Sequence, residues 1–287
     1  MNYERVALLG MFIAMLFVRY EVLAGGPKVS ALGNRHNLSA QNTGVKYFAT
    51  NDLVNNPKGQ QICIFCHTPH SALPQGALWN RKDTTLTFAR YTSSTLDIRN
   101  IAAAQYAPGS QPNGSSRLCL SCHDGATGLG DVVWGGPIAM NINAIPAGDI
   151  MSFNPISNKM KSGHHPVSFV YAQGFNYQTQ IGTMIAGLVP AVDFRLPVSV
   201  TLPGPLTNMA AYVKLQDTDR KGNGWMQCTT CHDPHQNMGN DKDVYSTPVR
   251  KVTPFWVYST AGAASASHDA VCNACHTNGL VTPAPFP

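Results

Sequence analysis

The sequence predicts a loop-rich protein whose short helices and few short β-strands surround a core that side chains alone do not fill. A five-residue motif, C-x-x-C-H, occurs four times and uses all eight cysteines. The 287 residues include 25 glycines and 20 prolines, which interrupt regular structure. Only 12% of the residues are charged, which is about half the usual fraction for a soluble domain.

Each copy of the motif places two thiols one helical turn apart and a histidine directly after the second. This is the arrangement by which a c-type haem is attached through two thioethers and its iron receives a proximal imidazole. Histidine makes up 10 of the 287 residues, so chance would complete all four copies only about once in a million. The predicted attachment residues are Cys63, Cys66, Cys119, Cys122, Cys228, Cys231, Cys272 and Cys275, with His67, His123, His232 and His276 as proximal ligands.

Two other uses of paired cysteines fit the pattern less well. Structural zinc sites pair their C-x-x-C units about 15–20 residues apart, and these motifs lie much further apart. A disulfide framework would suit an exported protein, but it gives no reason for a histidine after every second cysteine. The sequence therefore favours four covalent haem c groups.

The expected fold class is a multihaem c-type cytochrome with the haem array as its core. Motifs one and three continue into x-Pro-His, whereas motifs two and four do not, so the order A, B, A, B indicates a two-haem module used twice. The predicted division is a signal peptide at 1–24, a first module at 25–150 with haems 1 and 2, a β/loop-rich insertion at 151–227 that carries a distal histidine pair, and a second module at 228–287 with haems 3 and 4.

Regular structure is expected mainly at the motifs, each of which should form a short helix. Candidate strands are Val167 to Tyr171 and Val198 to Leu202. The apolar segment Ile181 to Val189 fits a strand or a short helix, because its periodicity favours neither. The tail from Val281 to Pro287 is rich in proline and should be extended.

Two distal ligands are predicted directly after motifs one and three. Pro69 and Pro234 disfavour helix for the residue before them, so the chain should turn away there. His70 and His235 are then placed to reach a neighbouring haem. The alternative is that each is a surface histidine in a Pro-His turn.

Four haems with two axial histidines each need eight ligands, and the chain has ten histidines. The remaining distal ligands are expected to be His36 and one of the adjacent pair His164 and His165. The sequence does not decide between those two. His268 lies four residues before Cys272, on the proximal side of haem 4, and should have a hydrogen-bonding or solvent role. All-histidine ligation implies low reduction potentials, because a methionine ligand raises them.

The first residues fit a secretory signal, with Arg5 before a 13-residue apolar run from Val6 to Val18 and cleavage expected after Ala24. An uncleaved anchor is the alternative. Export agrees with covalent haem attachment, which occurs outside the bacterial cytoplasm. The formal charge of +5 does not indicate nucleic acid, because haem propionates would bring the holoprotein near neutrality. No later segment is apolar and long enough to predict a membrane span.

Iron with two histidine ligands has no open position for substrate, so the histidine supply favours electron transfer over catalysis. A nitrite- or hydroxylamine-type reductase is the enzymatic alternative, and it would need an open haem. The chain has no Gly-rich dinucleotide motif, so nicotinamide and flavin partners are not indicated.

Several segments together resemble exported cytochromes with doubled C-x-x-C-H motifs, and most of all the extracellular, OmcE-like tetrahaem cytochromes that polymerise into filaments in metal-reducing bacteria and some archaea. The segments are C-I-F-C-H-T-P-H at 63–70, A-L-W-N at 77–80, C-L-S-C-H-D-G at 119–125, H-H-P-V-S-F at 164–169 and C-T-T-C-H-D-P-H at 228–235.

The resemblance implies closely stacked bis-histidine haems that continue from one subunit into the next, and a distal histidine donated by a neighbouring subunit. His36 is the expected donor, because it lies near the start of the mature chain. The implied partners are further copies of the chain, other multihaem cytochromes and extracellular electron acceptors. The implied location is the cell surface or the medium, and a monomeric periplasmic shuttle is the alternative.

Overall fold

The structure is a computed structural model. It describes residues 28–50, 52–72, 78–84, 86, 88, 112–145, 153–154, 159–160, 165–171, 195–202, 208–217, 220, 224–236, 255–258 and 264–276. For residues 153–154, 159–160 and 264–268 it describes the backbone alone. The predicted signal peptide, the segment Ile181 to Val189 and the tail lie outside these residues.

A helix begins in or runs into each of the four motifs. Motif one forms a 3-10 helix at Cys63–Phe65, and motif two ends an α-helix at Gly114–His123. Motif three is a single turn at Cys228–Cys231, and motif four lies at the end of Ala264–Asn273. Further 3-10 helices lie at Pro57–Gln60, Pro197–Ser199 and Met209–Ala211.

The motif-two helix stops for a local reason. Its C-cap is Asp124, and Gly125 follows with a φ of +75°, the left-handed conformation that glycine adopts at little cost. The buried Asp124 carboxylate accepts hydrogen bonds from the backbone N–H groups of Ala126 and Thr127, both at 2.9 Å. The chain therefore turns sharply just after the proximal histidine of motif two.

Four strands form two small antiparallel ladders in the described part of the chain. Strand β1 (Phe153–Asn154) pairs with β2 (Lys159–Met160). Strand β3 (Phe169–Tyr171) pairs with β4 (Gly224–Met226), with Phe169 opposite Met226 and Tyr171 opposite Gly224. The second ladder joins a segment inside the predicted insertion to the end of the insertion, immediately before motif three.

The buried apolar side chains form clusters that group the motifs in pairs. One cluster contains Ile64 and Phe65 of motif one and Leu120 of motif two, with Cys66 and Cys122 packed against it. Another contains Val271 and Ala274 of the motif-four segment. Cys231 of motif three packs against this second cluster. A third cluster joins β3 and β4 to Cys275.

Two sequence predictions of local structure need correction. The segment Val198 to Leu202 is not a strand, because Pro197 begins a 3-10 turn and only Thr201 makes a bridge, to Asn208. The strand predicted from Val167 begins two residues later, at Phe169. Within the described residues, no helix is long and apolar enough to cross a bilayer.

The close approach of two backbone segments after motif two predicts a severe substitution. A Cβ atom added at Gly130 would lie 1.8 Å from the carbonyl oxygen of Ile138. We expect Gly130→Ala to lower the free energy of unfolding by more than about 2 kcal/mol, because the backbone has to separate there. Denaturant unfolding of the purified protein measures the change.

Gly44 provides the matched control. It is exposed, and an added Cβ atom would meet no atom within 4 Å. Gly44→Ala should leave the unfolding free energy within about 0.5 kcal/mol of the parent value. Equal effects of the two substitutions would contradict the packing described for Gly130.

Candidate functional site

All eight motif cysteines lie in the described part of the chain, and none forms a disulfide. The same part holds no group of three or more His, Cys, Asp or Glu side chains arranged to bind a metal ion. Tetrahedral zinc takes about four protein ligands, whereas a porphyrin supplies four nitrogens and leaves the protein to supply two. The relevant feature is therefore whether imidazoles occur in facing pairs.

Three of the four proximal histidines lie opposite a second histidine from a distant part of the chain. The ring centres of His67 and His235 are 5.9 Å apart. Those of His123 and His36 are 6.2 Å apart, and those of His276 and His165 are 6.4 Å apart. All three partners are among the distal ligands predicted from the sequence.

These separations match the spacing of two imidazoles that share one iron. Two metal–nitrogen bonds of about 2.0 Å and two nitrogen-to-ring-centre distances of about 1.1 Å add to about 6.2 Å between ring centres. The interplanar angles of 20°, 62° and 75° differ, and a two-ligand axis permits this because each ring can rotate about it. The donor set fits a bis-histidine haem at three positions.

The distal rings are oriented by oxygen atoms next to Nδ1. His36 Nδ1 lies 3.1 Å from the carbonyl oxygen of Pro234, and His165 Nδ1 lies 2.8 Å from that of Pro166. A carbonyl can only accept, so Nδ1 carries the proton in both rings and Nε2 is left as the ligating atom. His235 Nδ1 lies 3.7 Å from Oδ1 of Asp233.

Desolvation keeps two of the paired rings in the form that binds metal. It lowers the pKa of His36, and the hydrogen bond that this ring donates to the Pro234 carbonyl opposes the lowering only in part. It also lowers the pKa of His276 to about 4, with a further contribution from His165. Both imidazoles are therefore neutral at pH 7, as ligation requires.

Cysteines of successive motifs lie close enough to affect one another's pKa values. The pKa of the Cys66 thiol is raised to about 12, by desolvation and then by Cys122 of motif two. The pKa of Cys119 is raised chiefly by a hydrogen bond with Cys228 of motif three. Desolvation and then Cys275 of motif four raise the pKa of Cys231.

Motifs two and three are joined by direct hydrogen bonds between their helices. The backbone N–H of Cys228 donates to Oγ of Ser116 at 3.0 Å, and the hydroxyls of Ser115 and Thr229 lie 2.6 Å apart. The buried side chain of Gln227 adds a bond from Nε2 to Oδ1 of Asn113 at 2.7 Å. This junction holds the two pairs of motifs together.

The proximal histidines of motifs one and three lie in equivalent two-stranded bridges. In motif one, Thr68 donates to Leu78 at 2.9 Å and Asn80 donates to Cys66 at 2.9 Å. His67 is thereby bridged to Trp79. The ring centres of His67 and Trp79 are 5.7 Å apart.

Motif three repeats this pattern of backbone bonds. Asp233 donates to Phe255 at 2.7 Å and Val257 donates to Cys231 at 3.1 Å, so His232 is bridged to Trp256. The residue before each tryptophan has a positive φ, +54° at Leu78 and +73° at Phe255. A shared backbone conformation that non-glycine residues rarely adopt makes the two bridges one recurrent structure. In each bridge the proximal histidine already lies outside the motif helix. The helix therefore ends before the proline that was predicted to end it.

Phe255 contributes to the site in a way that the sequence did not indicate. It is buried, and its ring stacks on His36 with the centres 4.1 Å apart and the planes 9° from parallel. The two bridges also have no periodic signal in the sequence, because Trp79 follows His67 at half the interval that separates Trp256 from His232. A repeat of unequal length leaves no fixed period to find.

Within one chain, the ring of His36 packs against His123 and Phe255, and its donation to a neighbouring subunit stays a prediction. His70 is exposed, and its backbone carbonyl accepts from Thr68 at 2.7 Å. His164 lies outside the described residues, and the side chain of His268 is not described.

Comparison with known proteins identifies no family for this chain. No protein-family model matches the chain, and no curated protein matches it.

The junction of motifs two and three generates a prediction about stability. Ser116→Ala removes the acceptor of the partly buried Cys228 N–H and leaves that donor without its bond. We expect the free energy of unfolding to fall by about 1–3 kcal/mol, as measured by denaturant titration of the purified protein.

Ser121→Ala is the matched control on the same helix. Ser121 is as buried as Ser116, but its hydroxyl donates back to the carbonyl of Leu118 at 2.7 Å within the helix. Such bonds slightly destabilise helices, so this substitution should cost less than about 0.5 kcal/mol. A larger loss from Ser121→Ala than from Ser116→Ala would contradict the proposed role of the junction.

Proposed function

We propose that this chain is an electron-transfer protein that holds four covalent haem c groups, each ligated by two histidines. The observation that carries the proposal is the set of three imidazole pairs, 5.9–6.4 Å between ring centres, next to motif cysteines that form no disulfide. When bound, haem supplies an iron that accepts and releases one electron. The polypeptide supplies the histidine ligands and sets the positions of the haems.

The polypeptide would restrict the chemistry by supplying both protein ligands of an iron. With haem bound, His235, His36 and His165 would be the second histidine ligands at motifs one, two and four, where a substrate would otherwise bind. Two of these rings are fixed by backbone carbonyls that orient Nε2. This favours electron transfer over the nitrite- or hydroxylamine-type reductase, which needs an open axial position.

The contacts between motifs support a continuous path through the chain. Motifs one and two share a buried apolar cluster, and hydrogen bonds join motifs two and three. Cys231 of motif three packs against the cluster that contains Ala274 of motif four. Haems attached to these motifs would follow the order 1, 2, 3, 4. The direction of flow then depends on the potentials of the individual haems.

We further propose that chains assemble into a filament in which the haem path continues between subunits. The resemblance to filament-forming cytochromes and the low content of charged residues, 12%, support this. His36 contacts His123 within its own chain and His70 is exposed, so we propose His70 as the donor to a neighbouring subunit. The alternative is a monomeric periplasmic shuttle.

Replacing one distal histidine should open a single haem. In His235→Ala, the iron opposite His235 loses one ligand, so about one quarter of the haem should become high-spin and bind cyanide, while covalent haem content stays at four. Magnetic circular dichroism and a pyridine haemochrome assay measure the two quantities.

His268→Ala serves as the control, because His268 is not expected to ligate iron. All haem in this variant should remain low-spin. A wild-type protein without Soret absorption, or one with high-spin haem before any substitution, would refute the proposed function.

The filament proposal predicts a separate effect of His70→Ala. Wild-type protein from the cell surface should form ordered fibres in electron micrographs. His70→Ala should keep four haems but form fibres at least tenfold shorter, because the contact between subunits loses a ligand. Wild-type particles of a single chain would refute the filament and support the shuttle, and variant fibres of wild-type length would refute the role of His70.

A further inference from the structure

Arg81 is the largest fully buried side chain of the described residues. Its guanidinium makes four hydrogen bonds to described residues, and all four go to backbone carbonyls. Nη1 donates to Leu129 at 2.6 Å, and Nη2 donates to Gly128 at 2.7 Å. Nη2 and Nε both donate to Ser121, at 3.0 and 3.3 Å. Ser121 is the residue directly before Cys122 of motif two.

Arg195 makes a similar contact with motif four. It lies far from the motif in sequence, is partly buried, and donates from Nε to the carbonyl of Asn273 at 2.9 Å and from Nη2 to the same oxygen. Asn273 is the residue directly after Cys272. Both motifs of type B therefore have a guanidinium bound to the backbone between their two cysteines.

The charge of Arg81 has no carboxylate partner among the described residues. Carbonyl oxygens satisfy its N–H groups but do not cancel its charge. Arg117, on the motif-two helix, differs in this respect, because its Nε lies 2.8 Å from Oδ1 of Asp83. In the motif-two region, Arg117 is thus paired with a carboxylate, whereas the described residues give Arg81 only carbonyl acceptors.

Both guanidinium groups lie beside the attachment cysteines of their motifs, since Ser121 directly precedes Cys122 and Asn273 directly follows Cys272. The motif-one bridge places Arg81 two residues after Trp79, where the motif-three bridge has Tyr258. No arginine occupies that position beside motif three.

We propose that Arg81 and Arg195 raise the reduction potentials of haems 2 and 4 above those of haems 1 and 3. The inference rests on the proposed function. A ferric porphyrin gains one electron and loses one unit of positive charge on reduction, so a fixed cation nearby favours the reduced form. Burial strengthens the effect, because solvent screens the interaction less. The potentials would then alternate along the path 1, 2, 3, 4.

The test is a spectroelectrochemical titration of the purified four-haem protein and its variants. In Arg81→Met, one of the two highest of the four one-electron midpoint potentials should fall. At the wild-type midpoint, the ratio of oxidised to reduced haem for that step should rise from one to about ten, which corresponds to a fall of about 59 mV in the potential. Arg195→Met should move the other high step. Arg81→Lys keeps the charge and should move neither.

Arg117→Met is the matched control, because it removes a cation whose charge Asp83 already neutralises, and its titration should superimpose on the wild type. If Arg81→Met fails to hold four haems, Arg195→Met decides, since it loses bonds to only one carbonyl.

Four-haem variants whose titrations are unchanged, or in which all four steps move equally, would overturn the inference and leave the proposed function intact. A wild-type chain that holds no haem would refute the proposed function itself.

Discussion

The structure depends on pairs of imidazoles that come from distant parts of the chain. His36 lies against His123, His235 against His67, and His165 against His276. The regular structure is too sparse to fix these positions, because the described strands span two or three residues each. Each segment that carries a distal histidine is therefore held by backbone hydrogen bonds and by the packing of its neighbours.

Several of these supports share one feature: a loop is fixed through its carbonyl groups. Pro234 and Pro166 orient imidazoles, while Ser121 and Asn273 receive guanidinium groups. Irregular backbone leaves many carbonyls without partners in helices or strands, and buried ones must be satisfied. The loop-rich fold thus provides the acceptors that position both the ligands and the charges of the candidate site.

The sequence allowed the motifs, the list of histidines and the A, B, A, B order to be predicted, because each depends on local spacing. It did not allow the distal histidines to be matched to proximal ones, since His235 and His67 meet only through tertiary folding. Nor did the position of His36 near the predicted mature terminus indicate that its ring would stack on Phe255. The strand predicted at Val198 failed because Pro197 fixes a turn that outweighs β propensity. Arg81 gave no sequence signal at all, since a single arginine in a polar segment is ordinarily exposed.

The pairing of His67 with His235 and of His36 with His123 beside Phe255 has a consequence for biogenesis. Motif one leaves the ribosome before residue 235 does. On the proposed function, the first haem would be attached while its sixth position is still open, and the second would lack the aromatic ring that steadies its distal ligand. The nascent protein would pass through a stage in which these irons are reactive towards small molecules. Rapid completion and export of the C-terminal half would protect the cell from that stage.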